Sequence, residues 1–396
     1  MMLGATHLTM PFLASLDFAT LPQQIINGLL SGSIYALIAL GYTMVYGILK
    51  LINFAHGEVF MLGAYTALFV SYFFGFEPNS PYHATSVWYL VVMILASMTV
   101  SGLAGVIIEK VAYRPLRNQA RIASLITAIG MSTLLQFGGQ LFLPNSPPPN
   151  IDQRINPFSQ QIKFNLVPHD SSLLAQLNVL KVTKSQADSA WKTRQKLETD
   201  TFSPSPEGVR IRSAAQEADR HFQDLSSRYQ TSGVTVQMAL GRIVTIIITI
   251  ILMIGLTYLV LFTRQGRAMR AVSHDFDSAS LMGVNVNSVV TFTFIIGSVL
   301  AGAAAMMDAT LYQPGLQINT FFGLLPGVKA FVAAVLGGIG NIPGAVVGGL
   351  LMGVLESLVG WCGYTGWQDA AAFVVLIVVL LVRPAGILGS NEVEKV

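Results

Sequence analysis

Nine apolar stretches recur along the 396-residue chain, at 24–48, 57–74, 88–108, 123–143, 241–262, 289–310, 324–341, 343–360 and 368–382. A helix of about 20 residues, rising 1.5 Å per residue, crosses a hydrocarbon core about 30 Å thick. The stretches lack the strict alternation of a barrel strand. Backbone polar groups in lipid must be satisfied within the segment, so these stretches are helices. The expected fold is an all-α polytopic membrane protein with 8–10 transmembrane helices, broken or re-entrant segments, and an extracytoplasmic insert.

Charge is scarce and unevenly spread. Only 11% of residues are charged, against about a quarter in ordinary soluble domains. Eleven Lys/Arg and nine Asp/Glu fall within 144–240. The chain therefore divides into a membrane half at 1–143, a charged block at 144–240 and a second membrane half at 241–396. A net charge of +3 is too small to indicate a nucleic-acid partner. The single Cys362 excludes an intrachain disulfide and gives no thiolate cluster for a metal. The first twenty residues lack a basic n-region, so no cleavable signal peptide is expected.

The short loops give an orientation. Lys110, Arg114, Arg117 and Arg121 cluster after the third stretch, and Arg264, Arg267 and Arg270 after the fifth, whereas 75–87, 311–323 and 361–367 contain no Lys or Arg. Loops rich in Lys and Arg stay in the cytoplasm. Parity then places 144–240 outside, which its basic residues do not contradict, because long segments translocate largely regardless of charge. Within the block, 184–197 and 211–229 read as a helical hairpin around TFSPSPEG. Residues 8–20 are apolar enough to dip into the bilayer, which leaves nine or ten crossings open.

Three constellations stand out. LINFAHGE at 51–58 sets Asn53, His56 and Glu58 in an apolar region, and Gly57 permits a helix break. Polar groups at membrane depth are costly, and broken helices are tolerated where they line a cavity, so these four residues are candidates for a translocation path. The bland reading is a cytoplasmic turn in which Asn53 caps a helix and Glu58 sits in its first turn. The second constellation is 264–288. There His274, Asp275 and Asp277 offer N-cap chemistry, Ser278 to Met282, including Leu281, can form a short helix, and Gly283 suits its C′ position. Such a helix can take force from a docked soluble subunit. The third is 337–353, where Gly340, Gly344 and Gly348 are spaced by four and Gly349 and Gly353 repeat the step, a spacing that lets helices pack closely. Asn341 and Pro343 supply a turn and a helix start there.

Charges within the stretches, at Glu109, Asp308, Lys329, Glu356 and Asp369, read as isolated groups near span ends, with Lys329 able to snorkel. They form no spaced relay of the kind a proton pump needs. The sequence holds no G-x-x-x-x-G-K-[ST], H-E-x-x-H, G-x-S-x-G or C-x-x-C motif, so no catalytic site, metal site or cofactor is expected. His7, His83, His169 and His221 fall in the tail or external loops, leaving His56 and His274 without a shared site.

Four stretches carry a resemblance: 27–65, 282–305, 322–356 and the closing VVLLVRPAGILG at 378–389. They resemble the LivH-type permease subunits of branched-chain amino-acid ABC transporters, and the likeness covers about three quarters of the chain. The resemblance implies an inner-membrane permease that works with a second permease subunit, two cytoplasmic ATP-binding subunits and an extracytoplasmic solute-binding protein. It implies leucine, isoleucine and valine as cargo, with urea or short amides the alternative within the family. An ion-coupled secondary transporter is the alternative of another class. The family's coupling helix maps onto 274–284. The 144–240 insert departs from the family pattern, being longer than the connection expected there.

Overall fold

The computed structural model describes residues 18–76, 86–117, 119, 121–168, 170–197 and 206–389. Two compact units emerge. The larger comprises Gln24–Gln161 and Met238–Val396; the smaller comprises Ile162–Gln237 with the N-terminal stretch ending at Gln23.

The larger unit is built from α1 (Leu21–Leu49), α2 (His56–Phe73), α3 (Trp88–Ile108), α4 (Arg121–Phe142), α7 (Leu240–Phe262), α8 (Arg264–His274), α9 (Phe276–Leu281), α10 (Val286–Met307), α11 (Leu324–Gly337), α12 (Ile342–Trp361) and α13 (Gln368–Val382). Among the described residues seven of these helices are long and apolar enough to cross a membrane. The protein is thus integral to a membrane. The other two expected stretches are α2, of 18 residues, and α11, of 14. At 1.5 Å per residue α11 spans only about 21 Å. The expected crossing at 324–341 is therefore a half-helix: α11 stops at Gly337, and positive φ angles at Gly338 and Gly340 turn the chain into α12.

Small residues set how these helices meet. The α12 glycines use two faces. Gly344 and Gly348 lie against the carbonyls of Gly337 and Ala333 on α11, while Gly349 and Gly353 lie against Ala36, Gly28 and Gly32 on α1. A Cβ at Gly353 would come within 2.3 Å of the Gly28 carbonyl. Gly340 departs from the expectation. It sits in the turn rather than on the packing face, with Gly47 nearest. Asn341 caps α12 by accepting from the Gly344 N–H at 3.2 Å, with Ile342 as the first helical residue and Pro343 following. On the other side of the bundle Gly63 and Gly302 bring α2 against α10, and the Ser97 hydroxyl of α3 donates to the Gly63 carbonyl at 2.9 Å.

Of the five charged groups expected to be isolated, Glu109, Lys329, Glu356 and Asp369 are ion-paired. Lys329 on α11 pairs with Glu356 on α12 and Asp369 on α13, each at 2.6 Å, so it does not snorkel. The Tyr35 hydroxyl of α1 donates to the same Glu356 at 2.7 Å. Glu109, fully buried at the end of α3, accepts from Arg114 at 3.1 Å, from Arg117 at 3.2 Å and from the Thr291 hydroxyl at 3.0 Å. Lone charges within hydrocarbon would be prohibitive, and pairing makes them tolerable. Glu109 and Asp308 each open a five-residue π-helical turn, Glu109–Tyr113 and Asp308–Tyr312.

The smaller unit holds β1 (Gln161–Val167), α5 (Ser171–Leu197), α6 (Pro206–Thr231) and β2 (Val234–Ala239). The two strands pair and the two helices form an antiparallel hairpin; α5 starts well before 184 but ends with it at 197, and α6 runs past 211–229 at both ends. Lys184 is ion-paired with Asp219, and Arg194 with Glu207 at 3.2 Å. The boundary is narrower than the expected 144–240, because 144–161 belongs with the membrane unit. Ile151 and Ile155 are buried there, and the Asn156 amide donates to the Thr310 carbonyl at 3.1 Å. The stretch that begins the chain, and His7, His83 and His169, lie outside the described residues apart from a short turn at Phe18–Thr20.

Candidate functional site

The site starts from a break in the chain. α1 ends at Leu49, Lys50 takes a positive φ of 54°, and residues 51–55 run without helical bonds until α2 begins at His56. The His56 imidazole lies where a Cβ of Gly41 would be, at 2.3 Å. Gly41 precedes Leu49 by eight residues, about 12 Å along the helix. The chain therefore doubles back into the bundle before α2 starts, and the first residues of α2 are interior.

Asn53 does not cap α2 as the bland reading had it. The cap position is Ala55, with no side-chain bond. Asn53 instead folds its own turn, accepting from the Ala55 N–H at 3.1 Å, and accepts from the Tyr113 hydroxyl at 3.0 Å. His56 packs edge-on against Tyr42 with ring centroids 4.7 Å apart, and its Nε2 has no hydrogen-bond partner. Glu58 lies in the first turn of α2. Its Oε1 accepts from the Ser132 hydroxyl at 3.0 Å and the Gln136 amide at 2.7 Å, both on α4, while Oε2 has no partner.

A second break meets the first. After α10 and its π-helical turn the chain pairs with 145–150 through the Ile318 N–H to the Pro149 carbonyl at 2.7 Å and the Thr320 N–H to Asn145 at 3.2 Å. It then drops to Gly323, where α11 begins. A Cβ on Gly323 would come within 1.8 Å of the Gly57 carbonyl, and one on Gly57 within 2.6 Å of the Gly323 carbonyl. The two backbones touch. From that contact α2 runs toward Pro144, to whose carbonyl the Tyr65 hydroxyl donates at 2.9 Å, whereas α11 runs toward Gly340 and the α7–α8 corner. Two discontinuous helices thus start at one interior point and run in opposite directions. Each helix start carries a partial positive charge and open N–H groups.

A cavity of about 420 Å³ opens beside this contact, lined by Tyr42 and Phe54, by Glu58 with Ser132 and Gln136 of α4, by Val328 and Phe331 of α11 and by Phe373 and Leu376 of α13. Its walls are mostly apolar. Glu58 is the only carboxylate among the lining residues, and no Lys, Arg or His is among them. A second cavity of about 390 Å³ is polar, with Tyr35, Arg242, Asp308, Tyr312 and Glu356 in its lining.

The residues of the expected coupling segment form a separate feature. α8 follows α7 through a sharp corner: the Thr263 hydroxyl accepts from the Gly266 N–H at 3.0 Å, a Cβ on Gly266 would meet the Val260 carbonyl at 2.2 Å, and the Arg270 guanidinium donates to that carbonyl. His274 ends α8. Asp275 caps α9, accepting from the Asp277 and Ser278 N–H groups at 2.9 and 3.1 Å. The Ser278 hydroxyl, donating to the same carboxylate, holds Asp275 below the usual carboxylate range. With the folded value lowered, this cap is in place above the ordinary value of about 3.9 and is lost as pH falls through the lowered one. Gly283, at φ 83°, closes the helix, which leaves Leu281 and Met282 88% and 85% exposed. Of the path candidates, Gly57 and Glu58 line the cavity, whereas Asn53 turns to Tyr113 and His56 packs on Tyr42 and neither is among the lining residues; the coupling candidates are grouped elsewhere.

Sequence reasoning missed Ser132, Gln136, Tyr113, Gly323, Gly327 and Phe331. A signal was present for two pairs, since Ser132 and Gln136 stand four apart in an apolar helix and Gly323 and Gly327 repeat a four-residue glycine step.

The chain is similar to known proteins across nearly its whole length. The permease protein LivH of the high-affinity branched-chain amino acid transport system of Escherichia coli K12 is 36% identical over 378 residues, covering 94% of this chain and 97% of the relative. BraD of Pseudomonas aeruginosa, the permease of the corresponding system, is 37% identical over 375 residues at the same coverage. A probable LivH of Methanocaldococcus jannaschii is 30% identical over 155 residues, 37% of this chain and 48% of the relative. No solved structure matches the chain. The family model described as branched-chain amino acid transport system / permease component spans residues 24–382, both helix breaks and both membrane halves included, and the chain belongs to that family.

Proposed function

We propose that this chain is a permease subunit of an ATP-driven importer for branched-chain amino acids, with the translocation path running past the two helix starts at Gly57 and Gly323. The observation that carries this is the meeting of two discontinuous helices beside a cavity inside an apolar bundle. Irregular backbone within a bilayer is tolerated where it lines a cavity, and solute sites of transporters form at such breaks. The cargo follows from what the relatives' names state, and the mostly apolar walls suit a branched aliphatic side chain.

On this reading α8 and α9 are cytoplasmic and the Ile162–Gln237 unit is extracytoplasmic, which the Lys and Arg bias of the short loops supports. The partners are a second permease subunit, two cytoplasmic ATP-binding subunits and an extracytoplasmic solute-binding protein. α9 is the surface on which an ATP-binding subunit presses, since its apolar Leu281 and Met282 project from a capped helix. The chain itself hydrolyses nothing. ATP-dependent leucine uptake by proteoliposomes holding the assembled complex tests the reading, with urea and short amides as competitors. Uptake driven by an ion gradient alone would reject it.

Two variants probe its parts. Asp277→Arg with Met282→Asp is expected to reduce ATP-coupled uptake to background while the protein still inserts, read by uptake and by membrane-fraction yield. Wild-type uptake would remove α9 from coupling. Deleting 162–237 and closing the gap with Asn-Gly is feasible because the Leu240 N–H donates to the Gln160 carbonyl at 2.8 Å, so the cut ends adjoin. The shortened chain is expected to insert and to lose affinity for the loaded binding protein. Unchanged affinity and rate would take the insert out of the mechanism.

A further inference from the structure

Glu58 is an anomaly in the cavity it faces. Ser132 and Gln136 occupy Oε1, but Oε2 has no partner although the residue is only 1% exposed. A buried carboxylate with a bare oxygen is costly unless a cation meets it. Among the described residues no Lys, Arg or His lines the cavity, so the chain itself offers that oxygen no cation there, and a solute that carries one can. Glu58 sits in the first turn of α2, at the positive end of the helix, which helps to offset the cost of burying its charge. The two α4 donors fix its direction, leaving Oε2 as the free acceptor. Phe54, Val328, Phe331 and Leu376 give the same cavity an apolar wall.

We propose that Glu58 receives the ammonium group of the amino acid in transit, while the amino acid's aliphatic side chain lies against the wall formed by Phe54, Val328, Phe331 and Leu376. This rests on the importer reading above and adds to it a selection step inside the membrane. A site built to pair an ammonium group rejects analogues that lack one, because its own buried acceptor is then left bare. The path thereby discriminates a second time, after the binding protein.

The test uses the full assembled complex with saturating leucine-loaded binding protein. Glu58→Gln preserves the shape and, with its amide oxygen toward Ser132 and Gln136, an acceptor for them, but turns an N–H₂ toward the ligand. Leucine uptake is expected to fall by about tenfold or more, with ATP hydrolysis still stimulated by the loaded binding protein, and Glu58→Asp is expected to fall between. Wild-type uptake by Glu58→Gln would overturn the proposal. Failure of wild-type complex to take up leucine with ATP would instead overturn the importer reading. Photolabelling of wild-type complex with a diazirine analogue of leucine does not depend on any variant folding. Label at Phe54, at 328–331 or at 373–376 is expected, and label confined to the polar cavity around Arg242 and Asp308 would overturn the assignment.

Discussion

Gly323→Ala is expected to abolish transport and to lower the stability of the membrane unit by about 3 kcal/mol or more. The added methyl would lie 1.8 Å from the Gly57 carbonyl, with the Met61 Cβ also at 3.3 Å. The neighbour is backbone, so no rotamer change relieves the clash. α2 and α11 must separate, and with them the point at which both helices start. Gly327, one turn along α11, also faces Gly57, whose Cα lies 2.9 Å from where a Cβ there would be, so the two backbones stay close over a full helical turn. Uptake and thermal unfolding in detergent measure the two effects. Gly130→Ala on α4, where an added Cβ meets nothing within 4 Å, is the matched control and should be silent. Wild-type behaviour of Gly323→Ala would mean that the contact between the two breaks is not needed.

Lys329→Met is expected to cost about 3–5 kcal/mol, the usual penalty for removing one partner of a buried pair. Lys329 is the shared cation of Glu356 and Asp369, and Glu356 is mostly buried. Without the ammonium, Glu356 keeps only the Tyr35 hydroxyl, and α11 loses its polar tie to both α12 and α13. The size of the loss measures the stranded carboxylate more than the value of the pair. Adding Glu356→Gln should therefore recover most of it, because Asp369 is half exposed and can be solvated. Thermal unfolding of the two single variants and the double variant forms a cycle that isolates the coupling. A double variant no more stable than Lys329→Met would show that Glu356 carries no stranded charge.

The extent to which the sequence revealed these features follows from what each depends on. Hydrophobic runs reported the bundle because helix length against bilayer thickness is a local property, readable within twenty or so residues. The α9 cap was readable for the same reason: Asp275, Ser278 and Gly283 act on backbone groups within a few positions of themselves. LINFAHGE betrayed the first break through polar residues placed where lipid would reject them. The second break was hidden, since the α11 residues form a plausible crossing when hydropathy is averaged over 324–341, and only the contact of Gly323 with Gly57 shows that α11 begins deep. Long-range partners were equally invisible. Ser132 and Gln136 lie more than seventy residues from Glu58, and Lys329 looked solitary because its two carboxylates sit on different helices. Pairings of that kind depend on helix order in space, which no window along the chain contains.

If α9 takes the push of an ATP-binding subunit, as proposed above, the corner between α7 and α8 sets how that push is received. Gly266 pressed on the Val260 carbonyl, Thr263 bonded to the Gly266 N–H and Arg270 bonded across to Val260 remove the slack from that joint. α8, at 11 residues, is then a rigid arm about 16 Å long. Displacement at its far end would then be passed to α7 as rotation about its own foot, and the timing of access would follow the motor more than the relaxation of a loop.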